Sequence, residues 1–259
     1  MISASIGIIA SSISQNDTNA QAFFNYYGIT NGTIISAVNT LVIGLKNDSL
    51  WAKMTAIYPM VGGTNNTVIG NLKTPGTYDL TLGGSPTVNS NGITFNGTTQ
   101  YTDSGLVPNS VLSLNNTHMS VYSRTTGGFA KVDMGCKQST TIICDLECMW
   151  TDNKFYYQIN GSGGTEPGQT IGDGSGLYIG SRQSSTTLQG QRNSTYYTGS
   201  IASTSLPTNS IWVGGRNNDF NAAPRNLAWA SIGSGLSQTD MSNLYSRVQT
   251  FQTTLGRQV

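Results

Sequence analysis

From residue 60 onward the chain is punctuated at short intervals by pairs that favour turns: Gly62-Gly63, Asn65-Asn66, Pro75-Gly76, Gly83-Gly84 and Asn91-Gly92. Glycine and asparagine tolerate left-handed backbone and proline presets a turn dihedral, so such pairs cut the chain into pieces too short for helices. The apolar residues between them come in triplets, which suits short strands joined by turns. Further along, Thr117 to Arg124 sets Met119 and Val121 on one face and His118, Ser120 and Tyr122 on the other, the alternation of a half-buried strand. Phe155 to Ile159, Gly176 to Ser181 and Ile211 to Gly214 read the same way. Gly161 to Gly176 and Ser184 to Ser200 are turn-rich and long enough to read as exposed loops. The body is therefore expected to be mainly β.

The two ends read differently. After Asp17, the residues Ala20, Phe23, Phe24 and Tyr27 follow helical spacing and stop at Gly28. Ile34, Ile35, Val38, Leu41, Val42 and Leu45 then form the stripe of an amphipathic helix. Asp48 or Ser49 is placed to cap a third helix through Trp51, Met54 and Ile57, closed before Pro59. Near the C-terminus Ser237 is a good N-cap and Asp240 completes an acidic capping box. Met241, Leu244, Tyr245, Val248, Phe251 and Leu255 supply an apolar stripe ending at Gly256. Residues 1–15 are apolar, small and uncharged, without cap or period, and read as an extended arm. The expected organisation is an arm over 1–15, a helical attachment or oligomerisation segment over 16–59, and a β domain over 60–259 closed by a helix over 237–255.

Composition narrows the function. Only 13 Lys+Arg and 12 Asp+Glu occur among 259 residues, for a net charge of +1. Without a basic cluster the electrostatic term behind nucleic-acid affinity is missing, so no nucleic-acid partner is expected. No stretch approaches the roughly 18 unbroken apolar residues of a membrane span, and the first ten residues make a poor secretory signal. Cys136, Cys144 and Cys148 are an odd count, which argues for buried thiols over a disulfide framework. With a single histidine, His118, a closed zinc site lacks ligands. Neither a metal nor a cofactor is called for. The eight Asn-x-Ser/Thr matches reflect how common Asn and Thr are here, and no glycosylation is read from them.

Two sets of residues resemble known families. Gly92-Ile-Thr-Phe-Asn-Gly-Thr-Thr-Gln-Tyr-Thr-Asp-Ser-Gly105 has the form of a strand, an Asn-Gly turn and a return strand. It resembles the early hairpin of concanavalin A-like, laminin-G-like jelly rolls. Ile211-Trp-Val-Gly-Gly215, Ala228-Trp-Ala-Ser-Ile232 and the turn into a helix over Leu236 to Tyr245 resemble the end of the same fold. In addition, Trp51 to Gly63, Asn115 to Arg124 and above all Leu244 to Val259 resemble virion proteins of tailed bacteriophages of Bacteroidetes, crAss-like phages included. The resemblance implies a concanavalin A-like (LamG-like) jelly-roll sandwich of fibre or decoration type, made in the bacterial cytoplasm and exposed on the particle. It implies attachment to capsid, portal, collar or tail proteins through residues 1–59, a homo-oligomer taken as a trimer by analogy with fibres, and adhesion to host surface polysaccharide, with a purely architectural module that binds only neighbouring virion proteins as the alternative.

Such folds also carry glycoside hydrolases, which need two carboxylates flanking the scissile bond. Asp145-Leu-Glu147 puts two acids on one strand face, but position 150 is Trp where jelly-roll glucanases have a third acid, so no catalytic residue is assigned. His118 lacks a nucleophile elbow, and a triad is disfavoured. Asp103, Asp173 and Asp219 fall in plausible loops for calcium without clustering, so no metal ligand is assigned. For a glycan, aromatic platforms beside polar groups are needed. Tyr156, Arg182, Trp212 and Arg216, on or beside strands of the body, are the ligand-binding candidates.

Overall fold

A computed structural model describes residues 15–259 apart from Thr165 and Phe220, so all of the expected arm but Gln15 lies outside the described residues. α1 (Thr18–Tyr27) starts at Asp17, whose carboxylate accepts from the Asn19 N–H, and ends on Gly28 in the left-handed region. α2 (Gly32–Asn47) is capped by Asn31, which accepts from Thr33 and Ile34. The third expected helix is absent. Trp51–Lys53 make a single 3-10 turn and Met54–Tyr58 form β1, paired with the strand that precedes the C-terminal helix. The reason is double burial. Ala56 and Tyr58 enter one apolar cluster, Met54 and Ile57 another, and a bulge between Met54 and Ala56 resets the parity. A strand covered on both faces carries no polar alternation to distinguish it from a helix.

The remaining elements are α3 (Asn65–Val68), β2 (Thr81–Gly83), β3 (Thr87–Asn89), β4 (Gly92–Thr94), β5 (Tyr101–Asp103), α4 (Pro108–Val111), β6 (Thr117–Ser123), β7 (Met134–Ser139), β8 (Ile142–Glu147), β9 (Lys154–Gly161), β10 (Gln169–Thr170), β11 (Gly176–Arg182), β12 (Thr187–Arg192), β13 (Thr195–Ser200), β14 (Trp212–Val213), β15 (Gly215–Asn217), β16 (Asn226–Gly233) and α5 (Gln238–Thr254). The first sheet runs β13-β12-β11-β6-β16-β4-β3, with β1 also on β16. The second runs β10-β9-β8-β7-β14-β5-β2, with β15 alongside β7 in the one parallel pairing among the described residues. The result is a mainly β, concanavalin-like jelly-roll sandwich with helices near its start and a helix at its end, as the sequence implied.

Two local expectations are corrected. The stretch 184–200 is no loop: β12 and β13 form a hairpin from Thr187↔Ser200 to Arg192↔Thr195. The Gly92–Gly105 stretch is no hairpin, because β4 pairs in the first sheet and β5 in the second. The Asn96-Gly97 turn carries the chain across the sandwich. Asn96 Oδ1 there accepts from the N–H groups of Thr98, Thr99 and Gln100.

The core lies between the sheets. Met119, Val121, Tyr178 and Ile232 of the first meet Leu146, Phe155, Tyr157 and Val213 of the second. Cys136, Cys144 and Cys148 are free thiols buried in this layer, and burial pushes the Cys144 thiol up to about 12. A second cluster covers the other side of the first sheet. Phe23, Val38, Leu41, Leu45, Leu244, Val248 and Phe251 of α1, α2 and α5 pack on Tyr122, Leu177, Ile179 and Trp229. β6 is therefore buried on both faces rather than half-buried. His118 is completely buried between them, its Nδ1 bonded to the Ser234 carbonyl (2.6 Å) and its Nε2 to Ser231 Oγ (3.1 Å). The carbonyl can only accept, so Nδ1 carries the proton. All three long helices pack on the first sheet, and among the described residues no long helix packs on the outer face of the second.

Candidate functional site on the outer face of the second sheet

Register fixes what this face presents. Directly opposed residues point to the same side. The pairings Thr81↔Asp103, Asp103↔Trp212, Trp212↔Gly135, Gly135↔Asp145 and Asp145↔Gln158 therefore lay one row across the sheet. Their neighbours in sequence, among them Leu146, Cys144, Met134 and Val213, point into the core, so the row faces outward. Two residues along β8 and β9, Glu147 stands opposite Tyr156 on the same face. Asp145 and Glu147 thus share a strand face as the sequence implied, and Tyr156, Trp212 and Arg216 join them.

At one end of the face the Trp212 ring stacks on Tyr101, with centroids 3.7 Å apart and planes 13° from parallel. The Tyr101 ring in turn lies over Gly83, where an added Cβ would come within 2.4 Å of it. Two half-buried rings stacked on a glycine make a flat apolar platform. In the middle, Arg216 binds two carboxylates. Its Nη1 donates to Asp145 Oδ2 (2.6 Å), and its Nε and Nη2 donate to Asp219 Oδ1 and Oδ2 (3.0 and 2.6 Å). Lys137 Nζ adds a bond to Asp219 Oδ2 at 3.0 Å. Asp219 is held below the usual carboxylate range by these two cations despite partial burial. Asp145 is fully buried, and desolvation outweighs Arg216 to push its pKa up to about 6.

At the other end Glu147, Trp150, Tyr156 and Glu166 line a cavity of about 250 Å³. Burial, reinforced by Asp145 and Glu166, pushes Glu147 up to about 9, so its carboxyl is protonated at neutral pH. The Tyr156 hydroxyl donates to Asp152 Oδ2 (2.7 Å) and its ring meets Trp150 edge to face at 6.4 Å. Glu166 also lines a second cavity of about 270 Å³ with Lys137, Thr140, Ile143 and Arg216. The face thus reads from aromatic platform through a neutralised charge cluster to an aromatic and carboxylic hollow.

Arg182 does not belong here. It is completely buried, and its guanidinium donates to the carbonyls of Ile159 (2.6 Å), Ile201 (2.8 Å) and Ser184 (3.3 Å), tying β11 to β9 and to the segments flanking the β12–β13 hairpin. The sequence places it at a strand end, where an arginine can reach either solvent or bare carbonyls, and tertiary packing supplies the carbonyls. Asp173 is paired with Arg192 (3.0 Å), and among the described residues no group of three or more His, Cys, Asp or Glu is placed to hold a metal. Sequence reading missed Tyr101, Trp150 and Glu166. Tyr101 was hidden by the hairpin reading. Glu166 sits in a Gly- and Pro-rich loop whose path over the sheet leaves no periodic signal.

No protein-family model matches this sequence, and no curated protein matches it. Solved structures share the fold. Domain 4 of AbnA, a GH43 extracellular arabinanase from Geobacillus stearothermophilus, in complex with arabinotriose, matches with a TM-score of 0.52 at 14% identity, over 74% of this chain and 98% of that one. Trypanosoma rangeli sialidase in complex with sialic acid matches at 0.53 and 8%, over 82% of this chain and 38% of that one. The botulinum neurotoxin serotype D binding domain matches at 0.50 and 10%, over 76% of this chain and 52% of that one. This chain therefore spans well under half of the sialidase and about half of the toxin domain. What these structures share with this chain is a β-sandwich fold.

Proposed function

We propose that this chain is a non-catalytic glycan-binding module whose binding surface is the outer face of the second sheet. The observation that carries the reading is the Tyr101–Trp212 platform, set on the sheet face that the helices leave uncovered and flanked by the Arg216 charge cluster. Sugar rings present flat apolar faces edged by hydroxyls, and a stacked indole beside fixed polar groups complements both features. The arabinanase domain of the same fold, solved with arabinotriose, is in keeping with this reading. Hydrolysis is the weaker reading because Asp145, one of the two carboxylates it needs, is committed to Arg216 and is buried.

At the level of the organism, the resemblance of Trp51–Gly63, Asn115–Arg124 and Leu244–Val259 to phage proteins supports a place on the exterior of a tailed-phage virion. There the chain would be held by other virion proteins through its N-terminal region, as a trimer, with host polysaccharide as the ligand. The test of the binding reading is a glycan array with the purified protein and with Trp212→Ala. Specific binding that falls at least about tenfold in the variant is the expected result. An array with no bound glycan, or binding unchanged in a folded Trp212→Ala, overturns it.

A further inference from the structure

The hollow at the β8–β9 end of the face differs from the platform in its chemistry. Its walls are the rings of Trp150 and Tyr156, 82° apart, and its polar groups are the carboxyls of Glu147 and Glu166. On the same face, two residues before Glu147, the buried Asp145 keeps one oxygen, Oδ1, without a hydrogen-bond partner, while Oδ2 is taken by Arg216. The cations nearby are committed: Arg216 to Asp145 and Asp219, Lys137 to Asp219, and Lys154 to Asp152. The hollow therefore offers acceptors and π faces, and among the described residues no cation lines it.

Resting on the glycan-binding reading above, we infer that this hollow is a subsite for an amino sugar with a free amine, its ammonium held by Glu147 and Glu166 against the rings of Trp150 and Tyr156. An ammonium supplies the donors that carboxylates lack and is attracted to the negative face of an aromatic ring. A cavity of about 250 Å³ holds one hexosamine ring, whose apolar face then lies on an aromatic wall. An N-acetylated sugar is disfavoured, because its amide brings neither the charge nor three donors.

A second consequence separates this subsite from a merely sticky acidic surface. Glu147 is surrounded by Asp145 on its own strand, Tyr156 on β9, Glu166 in the following loop, Asp133 before β7 and Arg216 on β15. The carboxylates outweigh the single cation, and with burial they keep the Glu147 proton on up to about pH 9. An arriving ammonium reverses that balance, so binding at pH 7 expels the proton to solvent.

The experiment is isothermal calorimetry with a glucosamine tetramer and its fully N-acetylated counterpart, at pH 7 in two buffers of different ionisation enthalpy. The chains compared are the unsubstituted chain, Glu147→Gln and Tyr156→Leu. The expected result is at least a tenfold preference for the free amine, with net proton release of less than one per site, because the share of sugar amines that is uncharged at pH 7 takes its proton from Glu147 directly. Both the preference and the proton release vanish in Glu147→Gln, which mimics the protonated carboxyl and keeps its shape, and affinity for the amine falls in Tyr156→Leu. Equal affinity for the two tetramers, no binding of either, or a preference that survives Glu147→Gln overturns the inference. If array binding persists and still depends on Trp212, the failure lies with the amine subsite alone; loss of array binding would instead remove the glycan-binding reading beneath it.

Discussion

Charge is scarce in this chain, and much of it is buried in structural roles. Arg182, Arg225 and Arg257 are all essentially inaccessible. Arg225 pairs with the equally buried Asp133 at 2.7 Å, while Arg257 donates to the carbonyls of Met60, Pro59 and Ala228 (2.7, 3.1 and 3.1 Å). A guanidinium with five donors can join carbonyls from several strands at once, which makes it a cross-link that a low-charge β protein can bury. His118 does the same as a neutral ring, and burial lowers its pKa from 6.5 to about 4. The unfolded chain takes up this proton as pH falls through 6.5 while the folded chain refuses it until about 4. Stability is therefore fully present above pH 6.5 and drains away between those values. Urea denaturation at pH 7 and pH 5 should show the native chain losing about 2 kcal/mol more over that interval than His118→Asn, because every other titration is common to both. Equal losses would mean that His118 titrates normally.

At the scale of the element, α5 shows how much a short motif can specify. Ser237 Oγ accepts from the Asp240 N–H (3.2 Å) and Asp240 Oδ2 accepts from the Ser237 N–H (2.8 Å), the reciprocal pair expected of a capping box. Asp240 also binds Lys53, beside β1, so the cap ties the last helix to the strand that pairs with β16. Ser237→Ala should cost about 1 kcal/mol in urea denaturation, the ordinary loss for a cap. A loss well below that would mean that packing of Met241, Leu244, Val248 and Phe251 alone fixes where the helix starts. β1 is the counter-example. Trp51, Met54 and Ile57 carry helical spacing, yet Met54–Tyr58 is a strand after a single 3-10 turn at Trp51–Lys53, because partners on both faces of the strand exist only once the sheet and helices have met.

At the scale of the molecule, three layers decide which surface is available for function. Helices cover the first sheet, the core joins the first sheet to the second, and among the described residues no long helix packs on the outer face of the second, where the aromatic and charged residues lie. Residues 16–59 contribute to both apolar clusters through β1 and through α1 and α2. A chain begun at residue 60 should consequently fail to fold, seen as loss of a cooperative melt. A chain lacking residues 1–15 should keep its melt but lose incorporation into particles, as the attachment proposal requires. A cooperative melt from the shorter chain would show that the sandwich closes without β1, and normal incorporation of the longer one would remove the arm as the anchor.

Sequence alone determined the class of fold, the first two helices and the last, the burial of the thiols, and the placing of Asp145 and Glu147 on one strand face. The β class, the helices and the shared strand face follow from local chemistry, namely turn pairs, caps, stripes of period 3.6 and alternation of period 2, while the thiols follow from an odd cysteine count and the jelly roll from the family resemblance. Only tertiary structure decided that Arg182 is a buried cross-link, that 184–200 is a hairpin, that β4 and β5 belong to different sheets, and that Tyr101 and Glu166 join Trp212 and Glu147. Those outcomes depend on which strands become neighbours. Pairing is set by contacts between residues far apart in the chain, and the strand signal in a sequence is the same whichever partner the strand takes.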